Sequence, residues 1–162
     1  MPVVTSLTHE QVCNLIKTEL ENSTLLNYVD HANILIIPEE YKGIIPEFKH
    51  YMIRIYPPMA GFLFKRPRIG QYYRNIYTVG IELWIKSPGK LVDRLLVGNI
   101  EKNKGITEFF ADVSEVLEHN TLSSNLDPFP GSNIGEASIL STGDKLMTAM
   151  TFLWQGNQDN LR

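Results

Sequence analysis

Polar and apolar residues alternate over a long stretch in the middle of the chain, from Gln71 to Lys86. Tyr73, Tyr77, Val79, Ile81, Leu83 and Ile85 share one parity, which is largely apolar. Tyr72, Arg74, Thr78, Gly80, Glu82 and Lys86 share the other. A period of two predicts a β-strand with one buried face and one solvated face. This strand is predicted to be far longer than the usual ~5–6 residues.

Two amphipathic helices are predicted, one before and one after this central strand. The first begins at Thr8, where Gln11 three residues later completes a capping-box pattern. The second runs from Ile106 to His119 and has the clearer apolar stripe. The stripe consists of Ile106, Phe109, Phe110, Val113, Val116 and Leu117.

Shorter strands are predicted from Ile34 to Ile37 and from His50 to Tyr56. The second of these would form a hairpin with the central strand, and the loop from Met59 to Gly70 would be its tip. A closing hairpin is predicted from Ile134 to Leu140 and from Lys145 to Trp154, around Ser141-Thr142-Gly143-Asp144.

Two segments give weaker patterns. Leu91 to Val97 fits a helix or a strand, and Asn120 to Ser132 is predicted to be a loop. The fold class is therefore α+β: a mostly antiparallel sheet with a long central hairpin, an N-terminal helix and a second amphipathic helix. We expect one domain over residues 1–162, with a polar flexible C-terminus from about residue 156 to 162.

Composition agrees with a globular chain, because 43% of the residues are hydrophobic and 20% are charged. A net charge of −3 gives no general attraction to nucleic acid or to an anionic membrane. The single cysteine, Cys13, lies in the first predicted helix and is expected to pack as a small hydrophobe. No signal peptide or membrane span is predicted, which indicates a reducing, cytosol-like compartment.

Candidate chemistry is sparse. The histidines His9, His31, His50 and His119 lack a second ligand type at metal spacing. The sequence contains no G-x-S-x-G elbow, P-loop or G-x-G-x-x-G motif. We therefore expect no enzymatic activity, no metal and no cofactor.

Charge is unevenly distributed. From Lys49 to Arg74 the charged residues are all basic: Lys49, Arg54, Lys65, Arg66, Arg68 and Arg74. The second helix instead carries Glu108, Asp112 and Glu115 away from its apolar stripe. One interpretation is that both regions are ordinary charged surface. A second is that the basic loop binds nucleic acid. A third is that the basic face of one subunit meets the acidic face of the next, head to tail.

Phe62, Leu63 and Phe64 lie beside the basic residues of the Met59–Gly70 loop. Apolar residues on a long loop favour a protein partner. The candidate interface residues are therefore Phe62, Phe64, Lys65, Arg66, Arg68, Arg74, Glu108, Asp112 and Glu115.

The order helix, short strand, long hairpin, helix, hairpin resembles the tail-terminator (tail-completion) proteins of long-tailed bacteriophages, the T5-like siphophage kind in particular. The resemblance is carried by the helix from Thr8, by YTVGIELWI, by ITEFFADVSEVLEH and by the hairpin EASIL…DKLMTAMTFLW. It implies a homo-oligomeric ring, usually a hexamer, which caps the tail tube, stops its polymerisation and docks to the head–tail connector. It further implies a virion protein that is assembled in the host cytoplasm, with DNA passing through the lumen without specific binding.

Other classes remain open. The chain could be another head–tail connector or a tail tube component, or a small ligand- or nucleic-acid-binding α+β module. A ring in solution would distinguish the virion proteins from a monomeric module.

Overall fold

The computed structural model describes residues 7–37, 43–56, 68–69, 72–73, 76–86, 104–124, 126–128, 140–142 and 145–156. Helix α1 spans His9–Asn22 and helix α2 spans Ile106–Leu117. The strands are β1 (Ile34–Ile36), β2 (Tyr51–Tyr56), β3 (Arg68–Ile69), β4 (Tyr72–Tyr73), β5 (Ile76–Lys86), β6 (Leu126–Pro128), β7 (Leu140–Thr142) and β8 (Lys145–Gly156). Short 3-10 turns, Thr24–Leu26 and His31–Asn33, connect α1 to β1.

Six of these strands form one mixed sheet in the order β1-β2-β5-β8-β6, with β7 also paired to β8. The pair β1–β2 is parallel and the other pairs are antiparallel. Strand β5 lies at the centre and pairs with β8 along its whole length, from Ile76↔Gln155 to Lys86↔Lys145. The predicted fold class and the hairpin of β2 with the central strand are confirmed.

The central strand begins at Ile76, so the prediction that it begins at Gln71 is wrong. Tyr72 and Tyr73 pair instead with Ile69 and Arg68 in a separate two-stranded sheet. Only two residues separate β3 from β4, a spacing typical of tight hairpins. Alternation along the chain identifies extended residues but not the strand with which they pair. Here Tyr72 and Tyr73, at the start of the alternating stretch, pair with the nearby Arg68 and Ile69.

Both helices pack on one face of the sheet. The Thr8 hydroxyl accepts a hydrogen bond from the Gln11 backbone N–H, and the Gln11 side chain accepts one from the Thr8 N–H, so the predicted capping box is present. The buried helical residues are Val12, Cys13, Ile16, Leu20, Ile106, Phe109, Val113 and Leu117. They share a core with the apolar parity of β5 and with Leu146, Met150, Phe152 and Trp154 of β8, as predicted.

The opposite face of the sheet was expected to be solvated, and in the middle of the strands this expectation is wrong. Met52 and Arg54 of β2 are fully buried there, and Glu82 and Trp84 of β5 are 6% and 5% exposed. Phe48, Met52, Trp84 and Met147 form a second apolar cluster. The sheet is therefore buried on both faces along β2 and along Ile81–Ile85 of β5.

Three element ends differ from the predictions. Helix α2 ends at Leu117, two residues early, because Glu118 is extended and His119 has a positive φ of 59°. Leu126–Pro128, inside the predicted loop, is an edge strand on β8, a position that tolerates proline. Strand β8 continues to Gly156, two residues beyond its predicted end at Trp154, and residues 157–162 of the predicted tail lie outside the described residues.

The closing hairpin has a shorter connection than predicted. Ser141 pairs with Leu146 and Thr142 pairs with Lys145, which leaves two residues between β7 and β8. Residues 134–139, predicted as the rest of this strand, lie outside the described residues, as do 91–97. Neither described helix is long and apolar enough to cross a membrane.

Candidate functional site

The predicted interface residues fall into two groups. Phe62, Phe64, Lys65, Arg66 and Arg74 lie outside the described residues. Arg68 contributes its backbone to β3. The acidic half of the predicted interface, on helix α2, is described in full.

Helix α2 presents its carboxylates in two different environments. Glu108 and Glu115 are exposed. The Asp112 side chain is only 14% exposed and lies 2.7 Å from the Lys104 ammonium group. The Tyr28 hydroxyl donates a second 2.7 Å hydrogen bond to the same carboxylate oxygen, Oδ2. Asp112 therefore already has a cation within its own chain, whereas Glu108 and Glu115 form no ion pair with any other described residue.

Tyr28 belongs to an aromatic cluster that joins three parts of the fold. Its ring packs edge-on against Tyr51 of β2 at 4.8 Å and against Phe109 of α2 at 5.8 Å. The Lys104 ammonium group lies 5.0 Å from the centre of the Tyr28 ring, a cation–π distance. Burial, followed by the hydrogen bond to Asp112, raises the pKa of Tyr28 above its ordinary value, so the phenol remains a donor. The cluster fixes the start of α2 against the sheet.

A groove of about 770 Å³ runs beside this cluster, at the end of the sheet where β2 begins and β5 ends. Tyr28, Asp30, Asn33, Glu47, Phe48, Lys49, His50, Tyr51 and Lys86 line it. Lys86 pairs with Glu47 at 3.3 Å, and the Glu47 side chain is 90% exposed. Such an exposed pair adds little stability, because water and salt screen it. The groove thus offers aromatic rings and mixed charges to a partner.

Three basic residues at this end of the sheet, His50, Lys86 and Lys145, were not predicted as site residues. Lys86 is the Cα partner of Lys145, and the Lys86 backbone N–H donates to the His50 carbonyl at 2.9 Å. His50, Lys86 and Lys145 therefore lie side by side on neighbouring strands. Each of them is the first or last residue of a predicted strand. Their proximity follows from the pairing of these strands, which the sequence alone did not predict at this end.

One basic residue of the predicted surface is not at the surface. Arg54 is 0% exposed, and its Nη1 lies 3.3 Å from Glu82 Oε2. The Trp84 indole N–H donates to the same Glu82 oxygen at 3.0 Å, and the Arg54 guanidinium lies 5.3 Å from the centre of the Tyr56 ring. Arg54 therefore belongs to the sheet interior, and the prediction that it contributes to a basic surface is wrong.

The described residues hold little else that could act chemically. Cys13 is fully buried, and burial, with Glu10 nearby, raises the pKa of its thiol to about 12. It is packed as predicted and is a protonated thiol at neutral pH. No group of three or more His, Cys, Asp or Glu side chains in the described part of the chain could hold a metal ion.

Comparison with known proteins gives no family. No protein-family model matches the sequence, and no curated protein matches it. A proposal for the function therefore depends on the fold and on the charged surface described above.

Proposed function

We propose that this protein is a structural subunit of a phage tail, a tail terminator that forms a homo-oligomeric ring at the head-proximal end. The observation that supports it is the order of elements in the fold: α1, a short strand, the long β2–β5 hairpin, α2 and the closing β7–β8 hairpin. This is the order on which the resemblance to tail terminators rests. Both helices lie on one face of a single mixed sheet, as a compact ring subunit would allow.

In this role the ring, a hexamer by the resemblance, caps the completed tube and stops the addition of tube subunits. Its other side docks to the head–tail connector, and DNA passes through the lumen. The subunit acts by binding other proteins and needs no cofactor. The virion tail is its site of action, after assembly in the host cytoplasm.

Exposed apolar residues support a role in protein contacts. Ile44 is 64% exposed and the adjacent Ile45 is 38% exposed, in the segment that leads to β2. Apolar side chains that stay in water in an isolated subunit are stabilised when a neighbour covers them. The nearby groove and the exposed carboxylates of α2 add polar groups that can set the orientation of such a contact.

The test is the molar mass of the purified protein by size-exclusion chromatography with light scattering, followed by negative-stain imaging. We expect a ring of about six subunits with a central hole. The double variant Ile44→Ser/Ile45→Ser should fold like the parent but assemble less readily. A parent protein that remains monomeric across a hundredfold range of concentration would contradict the proposal.

The groove favours one alternative, a small ligand-binding module. A volume of about 770 Å³ is within the usual range of small-molecule sites. Most of the surface that lines it is apolar, as is usual for small-molecule sites, although six of its nine lining residues have charged, amide or imidazole side chains. A monomer that binds metabolites in a ligand screen would favour this alternative over the ring.

A further inference from the structure

Basic side chains form a row across the end of the sheet. His50, just before β2, lies beside Lys86 of β5, which is paired with Lys145 of β8. Residues at paired positions point to the same face, with Cβ atoms about 4.5–5.5 Å apart. By alternation this is the face of Met52, Trp84 and Met147, opposite the helices. We name His50, Lys86 and Lys145 the cation row.

Lys86 and Lys145 lie directly opposite each other and have one counter-charge between them in the described part of the chain, Glu47. Like charges directly opposite each other on paired strands are destabilising. Within the described residues, Lys86 pairs only with the exposed Glu47, and Lys145 forms no ion pair. The neighbouring Lys49 is exposed and adds further positive charge at the groove. An anionic partner would remove this repulsion.

Helix α2 of a second copy has the matching charge and spacing. Glu108 and Glu115 are exposed, and neither forms an ion pair in the described part of the chain. Seven residues apart, they lie two turns from each other on one side of the helix, about 10.5 Å along its axis. The cation row spans two strand spacings, about 10 Å. A helix lying across the strand ends would therefore place one carboxylate near Lys145 and the other near His50, whose ring N–H can donate a hydrogen bond to it.

We infer that the cation row of one copy binds Glu108 and Glu115 on helix α2 of the next copy. The inference rests on the proposed function, since it requires copies to assemble. A contact between two different patches of the same chain closes into a ring when the rotation between copies allows it. It places the basic side of the contact at the end of the sheet, whereas the sequence predicted it on the stretch Lys49–Arg74, most of which lies outside the described residues.

A second copy fits the row better than nucleic acid does. The chain carries a net charge of −3, which gives no long-range attraction to phosphates. The exposed glutamates Glu108 and Glu115 make the outer surface of helix α2 acidic. The same molecule thus supplies both halves of an electrostatically complementary contact.

The test is a charge reversal in three parts. Lys86→Glu/Lys145→Glu and Glu108→Lys/Glu115→Lys are made separately and then combined in one chain. Each double variant should weaken assembly by about tenfold or more, measured as the concentration at which light scattering shows half of the subunits assembled. The combined variant has the parent's net charge and should recover at least half of the lost assembly. Thermal unfolding checks that each variant folds.

Two controls separate this contact from general charge effects. Glu10→Lys/Glu21→Lys makes the same change in net charge as the α2 variant, but on helix α1, and should leave assembly unchanged. Lys86→Gln/Lys145→Gln removes the row's two lysine charges without reversing them, and should weaken assembly less than the glutamate variant. This milder variant keeps the test decisive if the reversal fails to fold.

The outcomes distinguish the inference from the proposed function. A parent protein that stays monomeric overturns both. A parent ring that none of the charge variants alters overturns the contact and leaves the ring function standing. A parent ring that is unaffected, together with binding of a short DNA duplex that Lys86→Glu/Lys145→Glu abolishes in fluorescence anisotropy, overturns the contact in favour of nucleic acid.

Discussion

Tyr28 donates a 2.7 Å hydrogen bond to Asp112, a residue 84 positions later in the chain. The bond joins the turn after α1 to the middle of α2, and Lys104 forms a 2.7 Å ion pair with the same carboxylate. Removing the hydroxyl by Tyr28→Phe keeps the ring contacts but leaves the carboxylate with one partner fewer. We expect a loss of about 1.5–3 kcal/mol in the free energy of unfolding, measured in urea, because the acceptor is charged.

Tyr51→Phe is the matched control for this prediction. The Tyr51 hydroxyl donates to a neutral acceptor, the Lys104 backbone carbonyl, at 2.8 Å. Its loss should cost only about 0.5–1.5 kcal/mol. Equal effects of the two substitutions would show that the charge of Asp112 does not strengthen the bond.

The helix face of the sheet should be the most sensitive part of the core. Ile81 is 1% exposed and Phe109 is 0% exposed. Truncation of either to alanine leaves a cavity, and we expect losses of about 2–5 kcal/mol for Ile81→Ala and about 3–5 kcal/mol for Phe109→Ala. Phe110→Ala, at a partly buried position, should cost less. Chemical unfolding of the three variants measures these losses. A larger loss of stability for Phe110→Ala than for Phe109→Ala would mean that Phe110, and not Phe109, faces the core.

Thr148 offers a substitution that should stabilise the protein. It faces the helices, opposite Leu83, and is 2% exposed. Its hydroxyl Oγ1 has no hydrogen-bond partner among the described residues. A buried hydroxyl without a partner costs stability, so Thr148→Val should raise the free energy of unfolding by about 1 kcal/mol. Thr151→Val, at a half-buried position on the other face, should change it little, and a loss of stability in Thr148→Val would mean that the hydroxyl is satisfied.

Stability should fall at mildly acidic pH through His9. Burial lowers the pKa of His9 below its ordinary value of 6.5, and its ring packs 5.2 Å from that of Tyr77. The unfolded chain therefore binds a proton at a higher pH than the folded protein does. The contribution is complete above pH 6.5 and is lost as the pH falls from there through the folded pKa.

His9→Gln removes this titration. Urea unfolding at pH 7.5 and pH 5.5 should show a smaller loss of stability in the variant than in the parent. Equal losses in both proteins would mean that His9 is solvated equally in the folded and unfolded states.

Local patterns predicted what depends on neighbouring residues in the chain. The capping box at Thr8, the apolar stripe of α2 and the buried parity of β5 all follow from spacing within one element. The errors arise where a distant residue decides the outcome. Glu82 reads as solvent-exposed in its own strand, but it is buried because Arg54 lies opposite it, 28 positions away.

The candidate site shows the same division. The exposed carboxylates Glu108 and Glu115 could be predicted from helical periodicity alone. Asp112, one turn away, differs from them only through Tyr28 and Lys104. The cation row could not be predicted, because it depends on how the ends of β2, β5 and β8 align. Leu126–Pro128 was missed because three residues show no period.

The buried Arg54–Glu82 pair influences the register in which β2 pairs with β5. A sheet that is apolar on both sides gives little information about which side should meet the helices, and a shift of one residue would exchange the two sides. In β2 and β5 such a shift would carry Arg54 or Glu82 beneath Phe109 and Val113, away from its opposite charge. A lone buried charge is strongly unfavourable. The pair thus disfavours the misaligned sheet and specifies one strand register, whatever its own net contribution to stability.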